Sequence, residues 1–213
     1  MTLKNELQNI IIGNEQVRFG ENIQATLAYL RTKKKTISGI EKTKFFKKQE
    51  TELLIEYIDS QNLWTKDFDF STYIGEGAEQ KIYESEDKTH ILKINDSIFY
   101  AFWEDYFISI LLHNFFFHHL AYEMKGFILQ DEILYCVVKQ IFVTTTETTD
   151  LNNVKEFMAS NGFINKKEND YYNPELGIIL EDLHDENVLT ENGILQFIDT
   201  VFYLMPSFYD KSI

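Results

Sequence analysis

Apolar residues recur at three- and four-residue steps in Leu3–Ile12, Glu21–Lys33 and Lys48–Gln61, and this spacing predicts three helices with one apolar face each. From residue 66 the texture changes to strands and turns. Tyr73–Ile74 leads into Gly75 and Gly77, Lys81–Glu84 alternates, and the turn Ser85–Lys88 precedes a strand over Thr89–Ile94, so a hairpin is expected. Asp96 or Ser97 is expected to cap a long aromatic helix through Ile98–Phe117. Tyr122–Leu129 and Leu134–Gln140 read as two further strands joined at Gln130–Glu132. After residue 141 a short helix over Asp150–Asn161 is stopped by Gly162, and Ile178–Leu180 reads as a short strand. Asn192-Gly193 between Asn187–Leu189 and Ile194–Ile198 is a strong hairpin signal. The rest of this last region is expected to be mostly helical.

These textures divide the chain into 1–65, a helical region; 66–140, a sheet with one long helix; and 141–213, a smaller closing region. Eighteen Phe and twelve Tyr make a bulky core the expectation. A net charge of −14 argues against a nucleic-acid partner, which needs a basic face, but leaves a nucleotide arriving with Mg²⁺ open. Locally, Lys33–Lys35 with Lys42, Lys44, Lys47 and Lys48 forms a basic segment, a solvated helix face in preference to a phosphate or nucleic-acid patch. Cys136 is the single cysteine and lies in the apolar run Leu134–Val138, which predicts a buried structural thiol, with no internal disulfide. The longest apolar stretch is interrupted by Glu104, Asp105, His113 and Asn114, as in a buried helix and not a membrane span. No basic-then-apolar leader pattern opens the chain, and a cytoplasmic setting is expected.

The chemistry-bearing residues cluster late in the chain. Asp182 precedes Asn187 by five residues, a hairpin follows, and Asp199 comes twelve residues beyond Asn187. Phosphoryl transfer needs one carboxylate to orient the acceptor hydroxyl, and an amide oxygen and a second carboxylate to hold Mg²⁺ against the phosphates. Each element alone has an ordinary reading as a cap or turn residue. The combination across an Asn-Gly hairpin is more specific. Upstream, the glycine pair Gly75 and Gly77 between two strands suits a loop whose backbone N–H groups approach phosphate, or an ordinary β-turn. Lys93 lies on the next strand, eighteen residues after Gly75 and 89 before Asp182, on the face opposite Leu92 and Ile94. A lysine so placed is normally exposed to solvent.

The segments Gly75–Tyr83, Asn114–Phe117, Ala121–Phe127, Val137–Gln140 and Tyr171–Leu189 resemble the serine/threonine/tyrosine-kinase-like domain found in polyvalent proteins of bacterial phages and conjugative elements, over roughly residues 45–205. More distantly, Asp182-Leu-His-Asp-Glu-Asn187 is similar to the catalytic loop of aminoglycoside phosphotransferases. The resemblance implies an α+β, bilobal protein-kinase-like fold with a minimal C-terminal lobe and an N-terminal helical extension. It implies ATP and Mg²⁺ as cofactors and a protein or small-molecule acceptor. By it Asp182 matches the catalytic aspartate, Asn187 and Asp199 the metal ligands, and Lys93 the nucleotide lysine, with Gly75 and Gly77 over the phosphates. Lys139 and Gln140 fall at the hinge, where backbone groups meet an adenine edge. His184 either donates to the transferred phosphate or pins its own loop. Glu104, in preference to Asp105, is expected to pair with Lys93. The chain departs from the pattern at Leu180-Glu181, where kinases carry His-Arg, and the fourteen residues after Asp199 leave little room for a peptide-docking platform. Three functions therefore stand open: a phosphotransferase, a nucleotide-holding pseudokinase that docks a partner, and a structural protein that binds no nucleotide.

Overall fold

The computed structural model describes residues 1–41, 46–77 and 80–210. It is a mixed α/β fold with five α-helices and antiparallel sheets among the described residues. Three helices come first: α1 (Leu3–Ile11), α2 (Glu21–Glu41) and α3 (Lys47–Gln61). Their apolar faces, with Leu7, Ile23, Leu27, Leu54 and Ile58 fully buried, enter the main core.

A five-stranded sheet follows, made of β1 (Tyr73–Glu76), β2 (Lys81–Glu84), β3 (His90–Asn95), β4 (Glu123–Gln130) and β5 (Ile133–Ile141), in the order β1-β2-β3-β5-β4. The helix α4 (Trp103–Phe116) is inserted between β3 and β4. It is buried along almost its whole length because it is packed from several sides. The α1–α3 helices cover one side. Trp103 and Phe107 meet Phe127 of β4, and Phe116 and Phe117 stack on Phe202 and Phe197. Aromatic side chains thus join the first sheet to the last third of the chain through one helix. No helix among the described residues is long and apolar enough to cross a membrane.

After β5 come α5 (Leu151–Ser160), capped by the Asp150 side chain, and six short strands: β6 (Ile164–Lys167), β7 (Asp170–Asn173), β8 (Ile178–Glu181), β9 (Val188–Glu191), β10 (Ile194–Phe197) and β11 (Val201–Leu204). The β9–β10 hairpin turns on Asn192 and Gly193, both at positive φ, with Glu191 paired to Ile194. That is the two-residue geometry favoured by the twist of flanking strands. The expected helical remainder is corrected here to a four-stranded sheet, β11-β8-β7-β6. Its outer strand β6 is exposed at every position and carries no alternation, so only its pairing with β7 makes it a strand.

The start of α4 is also corrected. Asp96 and Ser97 lie in a preceding turn, where the Asp96 side chain accepts from the Ile98 N–H at 3.0 Å. The free N–H groups at the helix start are met from another element. Glu50 of α3 accepts from the backbone N–H of Trp103 at 2.5 Å and of Glu104 at 3.4 Å. Lys47 donates to the carbonyls of Ser97 and Tyr100. The basic segment is therefore partly spent on holding α3 against α4, while Lys34 pairs with Glu104 at 3.5 Å. Lys42 and Lys44 lie outside the described residues.

Two predictions follow from this packing. Glu50 is 1% exposed, and burial pushes its carboxyl up to about 7 against the two N–H donors. Its folded-state value stands above the unfolded one, so its stabilising contribution is complete below about pH 4.5 and is lost as pH rises through about 7. Glu50→Gln keeps an acceptor without the charge. The stability of wild type relative to this variant, measured by urea denaturation, is expected to fall from pH 5 to pH 8; a constant difference would contradict the account. Gly126, at φ +133, lies at the β4 bulge, where an added Cβ would sit 2.3 Å from the Leu63 carbonyl oxygen. Gly126→Ala is expected to cost about 2 kcal/mol or more by the same measurement, since both backbone conformation and space forbid it.

Candidate active site

The loop between β8 and β9 is built by its backbone. Leu183 is fully buried, and its N–H donates to the Asn169 carbonyl at 3.1 Å. The His184 carbonyl accepts from the N–H groups of Asn187 and Val188. Asp182 takes positive φ and remains exposed. The Asn187 Nδ2 donates to the carbonyl oxygen and to Oδ2 of Asp182, both at 2.9 Å, and lies 3.1 Å from His184 Nε2. His184 Nε2 is also 3.3 Å from Asp182 Oδ1. The three side chains form one cluster in which His184 is engaged by its own loop.

Asp199 reaches the same place through the hairpin. The N–H groups of Ile198 and Asp199 both donate to the Asn187 carbonyl, at 3.0 and 3.2 Å. The β9–β10 hairpin thereby closes on its own starting residue and sets Asp199 beside Asn187. Lys93 arrives from β3. Its Nζ donates to the Ile198 carbonyl at 2.9 Å and lies 3.4 Å from Tyr122 Oη and 3.9 Å from Asp199 Oδ2. Lys93 is 1% exposed, so the solvent-facing expectation is corrected. It does lie opposite Leu92 and Ile94, but its own face is covered. Burial pushes its ammonium below the ordinary lysine range, and the Asp199 carboxylate opposes that shift.

Asp182, His184 and Asn187 thus form one side-chain group and Lys93 and Asp199 another, joined through the backbone bonds from Ile198 and Asp199 to the Asn187 carbonyl. Glu104 does not join them. It pairs with Arg31 at 2.7 Å and with Lys34, while Asp105 accepts from the Phe102 N–H. Both acidic residues sit in the first turn of α4 and are claimed by the N-terminal helices and the helix start, so the expected Glu104–Lys93 pair is corrected to a Lys93–Asp199 pair. The face of α4 toward Asp199 carries Tyr106, Ser109 and Ile110, which with Asn95, Tyr122 and Thr200 line a small polar cavity. Lys139 Nζ pairs with Asp87 at 2.6 Å, and Gln140 Nε2 donates to the Leu120 carbonyl at 2.8 Å. Neither of these two contacts involves the cluster. An added Cβ at Gly75 or Gly77 meets nothing within 4 Å, so neither glycine is required by packing inside the chain. The tip between them and β2, Ala78–Glu79, lies outside the described residues.

Sequence reasoning missed Tyr122 and His113. Tyr122 Oη donates to the Ile198 carbonyl at 2.8 Å and is 3.4 Å from Asp199 Oδ1. His113 packs against its ring at 4.4 Å, holds Thr200 Oγ1 at 2.7 Å, and is pushed down to about 3 by burial. Both read in the sequence as ordinary core residues, and no spacing marks them. For a divalent cation, the oxygen donors at hand are the Asp199 carboxylate and the Asn187 side chain. Among the described residues no group of three or more His, Cys, Asp or Glu gathers as a metal site. One carboxylate and one amide oxygen suit Mg²⁺ only where waters and a ligand's own oxygens complete its coordination.

Tyr122→Phe removes one hydroxyl and little volume. It is expected to lower stability by about 1 kcal/mol without changing the denaturant dependence, read by urea titration, because Ile198 keeps Lys93 as a donor.

No curated protein and no solved structure matches the chain. A family model described as serine/threonine/tyrosine kinase found in polyvalent proteins matches residues 47–206, which include the first sheet, α4, the Asp182 loop and Asp199. The chain therefore belongs to the family of serine/threonine/tyrosine kinases found in polyvalent proteins.

Proposed function

We propose that the protein is an ATP- and Mg²⁺-dependent phosphotransferase with a two-lobed arrangement. In this reading β1–β5 and α4 form the nucleotide lobe, residues after 141 form the lobe that carries the catalytic loop, and residues 1–65 form a helical extension. The observation that carries it is the meeting of Lys93 with the Ile198 carbonyl and Asp199, 105 and 106 positions later in the chain, immediately beside Asn187. A buried ammonium, a carboxylate, an amide and a separate exposed carboxylate are the groups phosphoryl transfer needs around one phosphate.

Asp182 orients the acceptor hydroxyl and accepts its proton. Its carboxylate is exposed toward an arriving acceptor and is steadied by Asn187. Lys93 pairs with phosphate oxygens, and Gly75 and Gly77 let the loop backbone come close above them. When bound, Mg²⁺ supplies charge neutralisation on those oxygens, held through Asp199 and Asn187. Backbone groups at Lys139–Ile141 meet the adenine edge. A nucleotide-holding module without transfer is the second reading, favoured by the engagement of the Asp182 carboxylate by Asn187 and His184 of its own loop.

Two variants separate the readings. Asp199→Asn is expected to abolish the Mg²⁺-dependent part of the melting-temperature rise with ATP, because a charged ligand becomes a neutral amide. Asp182→Asn is expected to retain that rise and to lower phosphate transfer from labelled ATP by about 10²–10⁴-fold, the contribution of a positioned general base. A wild type that melts higher with ATP and Mg²⁺ but transfers no phosphate to protein, small molecule or water supports the second reading. A wild type with neither property rules out both.

A further inference from the structure

Gln80 is the last residue of the β1–β2 tip, and its backbone carbonyl accepts from the Gly77 N–H at 2.9 Å. A glycine-rich phosphate loop of the pattern G-x-G-x-x-G would place its third glycine here, after Gly75 and Gly77. This chain has a long amide side chain instead. That side chain crosses to the catalytic half, where Nε2 donates to Asp199 Oδ2. The same carboxylate has Lys93 Nζ at 3.9 Å on Oδ2 and Tyr122 Oη at 3.4 Å from Oδ1. Of these three groups Gln80 alone comes from the loop that would lie over the phosphates.

We propose that Gln80 is a metal-gating residue of the nucleotide site: its side-chain amide occupies Asp199 Oδ2, one of the two carboxylate oxygens open to a divalent cation, so that nucleotide-bound Mg²⁺ is held fully only after the Gln80 side chain releases this hydrogen bond. The inference rests on the reading of Asp199 as a metal ligand. Lys93 and Tyr122 both also donate to the Ile198 carbonyl, a partner that a change at the carboxylate does not remove. Gln80 is a neutral donor, so a doubly charged cation displaces it at the cost of one hydrogen bond to a charged acceptor. The Gln80 side chain and the metal site are thereby coupled. A bound cation frees the Gln80 amide from Asp199, and the bonded amide holds the cation off.

The test is a Mg²⁺ titration of the ATP-dependent melting shift in the full chain, for wild type, Gln80→Leu and Gln80→Gly. The leucine variant removes the donor and keeps bulk; the glycine variant restores the loop pattern and is the readout if the leucine variant fails to fold. Both are expected to reach half-maximal shift at about tenfold lower Mg²⁺ than wild type, the factor expected when one such bond no longer has to break. A shift in the variants but none in wild type is a stronger form of the same result. A wild-type shift with an unchanged or raised Mg²⁺ midpoint in Gln80→Leu overturns the gating role and leaves the nucleotide reading intact; where that variant does not fold, the same midpoints in Gln80→Gly have the same consequence. No shift in any of the three proteins at any Mg²⁺ concentration overturns both.

Discussion

Burying the Lys93 ammonium is the constraint on which the arrangement of this molecule turns. A charge taken out of water must be met by acceptors with good geometry, or it costs several kcal/mol, on the order of what stabilises a whole domain. Here the acceptor is the Ile198 carbonyl and the counter-charge is the Asp199 carboxylate at 3.9 Å, both supplied by the exit of the β9–β10 hairpin. The first sheet is therefore tied to the last third of the chain by a polar contact that has few alternative solutions. Asp199 is set beside Asn187, whose carbonyl accepts from the N–H groups of Ile198 and Asp199.

Around this contact α4 acts as the common support. Its aromatic face packs on β4 and on the segment after Asp199, and Ser109 accepts from the Phe202 N–H at 3.0 Å. The N-terminal helices fix α4 from the other side. Glu50 satisfies its first N–H groups, and Arg31 and Lys34 take up Glu104. In this way the helical extension contributes directly to where α4 sits, and α4 in turn forms one wall of the polar cavity behind Asp199. Glu104 is committed to the N-terminal helices and Asp105 to the helix start, and the neighbours of Lys93 are the Ile198 carbonyl, Tyr122 and Asp199.

Much of this was legible in the linear pattern. The first three helices, the hairpins at Ser85–Lys88 and Asn192-Gly193, strands β4 and β5, and α5 with its Asp150 cap are local in origin. Their signals are apolar spacing, turn residues at positive φ and side-chain caps, all set by neighbours within a few positions. The return of the chain from Asn187 to Asp199 is local for the same reason, because a two-residue hairpin leaves it few paths.

What the sequence could not carry is whatever depends on a distant partner. Strand β6 is polar and exposed and becomes a strand only beside β7. The start of α4 is fixed by a carboxylate 53 positions away, so a search for a local cap finds the wrong residue. Burial of Lys93, the diversion of Glu104 to Arg31, and the contacts of Tyr122 and Gln80 with Asp199 all join residues far apart in the chain. The sequence by itself determined the local elements and the spacing of Asp182, Asn187 and Asp199, because dihedral preference, turn chemistry and amphipathic period act over a few residues. The tertiary structure alone decided which side chain faces which charge, because desolvation and ion pairing depend on what packs across the interior and not on what precedes or follows in the chain.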